Sequence, residues 1–91
     1  MASPVDIEIY TTRSCPYCTR AKQLLQKLNL AYKEIPVDGD PEGRARMTAR
    51  ANGRTTVPQI FFGSTHIGGC DDLHELYYDG KLDRVLAEAT P

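Results

Sequence analysis

The stretch VDIEIYTTRSCPYCTRAKQLLQKLNLAYKEIPVD, Val5 to Asp38, decides the architecture. Its first six residues alternate, with Val5, Ile7 and Ile9 on one face, the period of a half-buried strand. From about Cys15 to Leu30 the period changes. Ala21, Leu24, Leu25 and Leu28 recur at i, i+3, i+4, i+7, with Lys22, Gln23, Gln26 and Lys27 opposite them, which predicts an amphipathic helix. Ala31 to Asp38 reads as a second strand, stopped by the turn-rich DGDPEG. A strand, a crossover helix and a second strand imply a parallel pair.

Beyond this unit, Pro41 follows Asp40, a good first helical residue after a good N-cap, so a helix is expected from about Pro41 to Ala51, ending at Asn52-Gly53. PQIFFG (Pro58 to Gly63) and THIGG (Thr65 to Gly69) read as the two strands of a hairpin. A further helix begins after Gly69, carries Leu73, Leu76 and Tyr77 on one face and stops at Gly80. LDRVLAEA suggests one more short helix. The expected fold is α/β: a mixed four-stranded sheet, parallel pair plus antiparallel hairpin, flanked by helices, in a single domain over residues 1–91.

Composition narrows the function classes. Eleven basic residues against twelve acidic ones leave a net charge of -1, so nucleic acid is not an expected partner. No apolar run approaches the roughly 20 residues that span a bilayer, and the N-terminus lacks the basic and apolar regions of a signal peptide. A reducing, cytoplasmic compartment and a monomer are expected. Three cysteines are too few for a disulfide-dense secreted framework, and in a reducing compartment a CxxC pair is catalytic or metal-binding rather than structural.

Cys15 and Cys18 are that pair. Cys15 opens the first helix, where free backbone N–H groups and the helix dipole favour a thiolate. Pro16 suits the first turn, having no N–H to leave unpaired. Cys18 returns to the same face one turn deeper, the arrangement of an exposed nucleophile with a sheltered resolving thiol behind it. A zinc site would need four ligands. The remaining candidates are His66, Cys70 and His74, and Gly68-Gly69 would break the helix that their spacing requires.

Together, CPYC at a helix start, RTTVPQIF some forty residues later and HIGGCDDL just beyond resemble the dithiol glutaredoxins, over nearly the whole chain from IEIYT to GKLD. The resemblance implies a thioredoxin-like fold. It also implies glutathione-dependent reduction of protein–glutathione mixed disulfides and of protein disulfides, with glutathione as co-substrate and no metal required. Pro58 is then expected to be cis beside the nucleophile, with the Val57 backbone facing outward to pair with an extended peptide. Thr56, Val57 and Pro58 would bind glutathione on that side. Gly69, Cys70, Asp71 and Asp72 would bind it on the other, where a helix N-terminus can hold a carboxylate and the acids can meet an ammonium group. Tyr17 would pack on the ligand. The family commonly places a lysine three residues before the nucleophile; here Thr12 stands there, so Arg13, or else Arg44, Arg50 or Arg54, would meet the glycyl carboxylate. Two other readings remain: a redoxin of the same fold fed by a flavoprotein reductase, and an iron–sulfur carrier that shares a cluster between two protomers.

Overall fold

A computed structural model describes residues 6–89. The elements run β1 (Ile7–Thr11), α1 (Pro16–Lys27), β2 (Lys33–Pro36), α2 (Pro41–Arg50), β3 (Gln59–Phe62), β4 (Thr65–Gly68), α3 (Cys70–Tyr78) and α4 (Leu82–Ala89). The order is the expected one, including the last helix. The sheet order is β2-β1-β3-β4. β1 and β2 are parallel, with Glu8 beside Lys33 and Thr11 beside Pro36, while β1 with β3 and β3 with β4 are antiparallel.

Alternation along the strands gives the sheet two apolar faces. Ile7 and Ile9 of β1, with Ile60 and Phe62 of β3, share a core with Ala21, Leu24 and Leu25 of α1, Leu73 of α3, and Leu82 and Leu86 of α4. The intervening residues point the other way: Tyr10 and Phe61 pack with Val37 and with Met47 and Ala51 of α2. Three layers result, helices on both faces of one sheet. Arg50 seals the second face. Its guanidinium lies over the Phe61 ring at 4.1 Å and donates to Tyr10 Oη and Glu8 Oε1 at 2.9 Å each.

Elements are shorter than the sequence pattern suggests. β2 covers four residues rather than the eight from Ala31 to Asp38, because Asn29 turns the chain at a positive φ of 57° and pairing begins only where Lys33 meets Glu8. α1 ends at Lys27, three residues early. Val5, expected in β1, lies outside the described residues. Asp40 does cap α2 as expected, its Oδ1 accepting the Gly43 N–H at 3.0 Å. Among the described residues no helix is long and apolar enough to cross a membrane.

Candidate functional site

Three connections converge at one end of the sheet: the β1–α1 loop, the segment before β3, and the β4–α3 junction. Cys15 is the N-cap of α1, in extended backbone geometry, and its Sγ accepts the Cys18 N–H at 3.1 Å. Pro16 takes the first helical position. An N-cap is where a helix presents its unpaired donors, and here the group receiving one is sulfur. The same thiol lies 3.6 Å from the Val57 carbonyl, to which it donates, so the nucleophile sits against the segment before β3. The Val57–Pro58 peptide is cis.

The two thiols of the pair have opposite surroundings. Cys15 is half-buried, whereas Cys18 is 1% exposed. Burial pushes the Cys18 thiol up to about 12, with further upward pressure from its hydrogen bond to Cys15 and opposition from the Thr12 backbone and Lys22. Cys18 is therefore a thiol at neutral pH. Both cysteines are free.

A cleft of about 260 Å³ opens beside them, lined by Tyr17, Arg54, Thr56, Val57, Pro58, Gly69, Cys70, Asp71 and Asp72. Its far wall is the start of α3. The N-cap there is Gly69, and no side chain caps the first N–H groups. Asp72 reaches back instead, its Oδ2 accepting the Gly69 N–H at 2.8 Å and an Arg54 Nη1 donor at 3.1 Å. Burial pushes the Asp72 carboxyl up, but the Gly69 N–H and Arg54 outweigh it and hold the group below the usual carboxylate range. Gly68 has φ of +117°, and a Cβ there would press on the Asp72 carboxylate and come within 2.9 Å of Arg54 Nη1. The paired charges can approach the backbone only because that position is glycine.

Of the residues singled out from sequence as glutathione contacts, all but Arg13 line this cleft. Arg13 is exposed, and its backbone N–H is tied to the Asp38 carboxylate at 3.0 Å. Arg54, among the alternatives to it, does line the cleft. The other two arginines are engaged elsewhere, Arg44 on the Thr55 carbonyl and Arg50 at the far side of the sheet. Cys70 is buried, with Sγ 3.4 Å from His74 Nδ1. His66 faces Gln59 Oε1 at 2.7 Å, away from the Cys70–His74 pair, and among the described residues no three His, Cys, Asp or Glu side chains gather as a metal site would require.

One positioning element had escaped the sequence reading. Gln59 is completely buried, donates to the carbonyl and hydroxyl of Thr56 at 3.0 and 3.2 Å, and receives His66. The available signal was a lone polar residue directly after Pro58 in an otherwise apolar strand.

Residues 7–67 match the family model described as Glutaredoxin. The chain belongs to the glutaredoxin family. A glutaredoxin of Pseudomonas aeruginosa is 59% identical over 81 residues, covering 89% of this chain and 95% of that protein. Glutaredoxin 3 of Escherichia coli is 52% identical over 89% of this chain and 96% of its own. Among solved structures, the glutaredoxin of Brucella melitensis superposes with a TM-score of 0.80 at 54% identity, over 92% of this chain and 90% of that one. A buckwheat glutaredoxin–glutathione complex does so with a TM-score of 0.79 at 36% identity, over 96% and 81%. The thioredoxin-like fold, the CPYC pair as redox centre and thiol–disulfide oxidoreductase activity follow from this membership.

Proposed function

We propose that this glutaredoxin uses glutathione to reduce protein–glutathione mixed disulfides and protein disulfides through Cys15 and Cys18. The observation that carries the reading is the cleft: Cys15 Sγ lies on the carbonyl of Val57, a residue of one wall, and the other wall is a helix start without a side-chain cap beside a fixed Arg54–Asp72 pair. The γ-glutamyl end of glutathione carries an α-carboxylate and an α-ammonium group. The helix N–H groups and Arg54 suit the first, and Asp72 with Asp71 the second. The Val57 backbone runs along the cysteinyl part of the peptide, and Tyr17 covers it. The glycyl carboxylate falls toward the nucleophile's end, where Arg13 is exposed. The buckwheat relative is known as a complex with the same tripeptide.

The Cys15 thiolate attacks the glutathione sulfur of a mixed disulfide. A Cys15–glutathione disulfide forms, and the protein thiolate leaves and takes up a proton. A second glutathione thiolate attacks the glutathione sulfur of that adduct, releasing oxidised glutathione and the Cys15 thiolate. With a protein disulfide, Cys15 forms a mixed disulfide with the substrate. Cys18 then gives up its proton and attacks Cys15 Sγ, expelling the reduced substrate, and two glutathione molecules reduce the Cys15–Cys18 bridge. Burial of Cys18 keeps it from competing for the first attack.

Turnover of a glutathione mixed disulfide and of a protein disulfide, each coupled to glutathione reductase, tests the assignment. Cys15→Ser should lose both activities to background. Cys18→Ser should keep the first and lose the second. Retention of mixed-disulfide turnover by Cys15→Ser would refute these roles.

A further inference from the structure

A second groove, of about 210 Å³, runs between α1 and α3 on the flank of the cleft. Arg20, Gln23 and Lys27 line it from α1, and His74, Tyr77 and Tyr78 from α3. The two depressions share a wall. Arg20 stacks over Tyr17, a cleft residue, at 5.7 Å, and His74 touches Cys70, another cleft residue, at 3.4 Å.

The groove's charge is one-sided. Arg20 lies on Tyr17 and Lys27 on the Tyr77 ring at 5.8 Å. Among the described residues the ion pairs use Lys22, Arg50, Arg54 and Arg84 but neither of these two cations. Among the described residues no carboxylate lines the groove. α3 has acids to offer, yet Asp71 and Asp72 face the cleft and Glu75 and Asp79 face the β4 side. Tyr17 and Tyr78, among the described residues the two most exposed large apolar side chains, flank the groove at 53% and 77% exposure. A cation resting near an aromatic ring, with no carboxylate paired to it, keeps its charge available to an incoming anion, and the ring supplies contact area at little conformational cost.

We propose that this groove docks an acidic segment of the protein substrate, flanking the cysteine that carries glutathione. The inference rests on the deglutathionylation reading above and deepens it, because it assigns a substrate class. At a rise of about 1.5 Å per residue, Arg20 stands roughly 8 Å and Lys27 roughly 18 Å along α1 from Cys15. An extended chain advancing about 3.3 Å per residue would bring its acids to them at about the second to third and the fifth to sixth positions from the modified cysteine.

The test uses three substrates: the mixed disulfide of glutathione with cysteamine, a glutathionylated peptide with Asp or Glu at those positions, and the same peptide with Asn or Gln there. The full chain should turn over the acidic peptide with kcat/KM roughly fivefold above the neutral one at low salt. That advantage should vanish near 0.5 M salt as screening shortens to a few ångströms, roughly. Gln23→Glu combined with Lys27→Glu should cancel or invert the preference while leaving the cysteamine disulfide unaffected, which also shows that fold and cleft are intact. Equal rates on the two peptides for the unmodified chain, or the same preference in the charge-reversed variant, would overturn the groove assignment. Failure on the cysteamine disulfide by the unmodified chain would instead overturn the reading on which it rests.

Discussion

Helices α1 and α3 both begin at the cleft, and they finish their first turns in opposite ways. At α1 the capping atom is the Cys15 sulfur itself, which receives the Cys18 N–H at 3.1 Å. At α3 the cap is Gly69, which has no side chain to offer, and the Asp72 carboxylate folds back from inside the helix to the Gly69 N–H. The same excess of unpaired donors thus serves two ends: one helix start holds the cysteine of the redox pair, and the other, on the function proposed above, keeps open a seat for an anion. Cys70 sharpens the lesson. It too stands at a helix start, but at the first helical position and not in the cap. Its sulfur is turned onto His74 and buried, and burial, then Asp71, pushes its thiol up. A shift of one residue relative to the cap separates a half-buried capping sulfur from a buried one turned onto a histidine. Brief alkylation at neutral pH should label Cys15 and spare Cys18 and Cys70, as peptide mass mapping would show.

The largest effect on the α3 side is expected from Gly68→Ala. It places a side chain at φ +117° and drives a Cβ to 2.7 Å from Asp72 Cγ, so either the backbone or the Arg54–Asp72 pair must move. Stability should fall by more than about 1 kcal/mol, and kcat/KM for a glutathione mixed disulfide by roughly tenfold, chiefly through KM. Urea unfolding and steady-state kinetics would check both. An unchanged KM would mean that the α3 start is not an anion seat and that the two helix ends differ only in form.

The nucleophile's side of this comparison was legible in the sequence, and the α3 side only in part. CPYC, the alternation of Ile7 and Ile9 and the helical period of Ala21, Leu24 and Leu25 are local signals, and they gave the β–α–β unit and the redox pair. Gly-Gly before two acids marked the α3 start. The pairing of Arg54 with Asp72 joins residues eighteen positions apart across a hairpin, and no periodicity encodes such a contact. Arg13 lies two residues before the nucleophile, yet it is exposed and outside the residues that line the cleft, because the chain leaves β1 through a turn there. Its N–H is fixed by Asp38, at the end of the neighbouring strand's connection. Strand limits failed for a related reason: the extent of β2 is set by where it meets β1, which its own residues cannot announce.

Asp72→Asn probes the same helix start more gently, since an amide oxygen can still accept the Gly69 N–H while the charge is lost. KM for the mixed disulfide should rise about three- to fivefold, and kcat should stay near its original value. The stability difference has a defined sign. The Asp72 carboxyl is held below its usual range in the folded protein, so its contribution is fully present above the unfolded value of about 3.9 and is lost as pH falls through the lower folded value. The urea midpoints of the original chain and the Asn variant should differ at pH 6 and converge in strong acid. A gap of constant size down to pH 2 would show that the charge of Asp72 contributes nothing.

The smallest effect distinguishes the two helix starts by what stands behind them. His66 lies behind α3, stacked on Phe61 at 5.1 Å and bonded to Gln59. Burial pushes it down, Arg54 adds to that, and Asp72 opposes. Its folded value therefore lies below its unfolded one, near 6.5. The native state prefers the neutral ring, so the stability it contributes is present above pH 6.5 and declines as pH falls through the folded value. A modest drop in urea midpoint is expected between pH 7.5 and 5.5, and His66→Gln should flatten it. If the decline instead survived the substitution, some other group would be titrating, and the α3 start would owe no pH sensitivity to the histidine behind it.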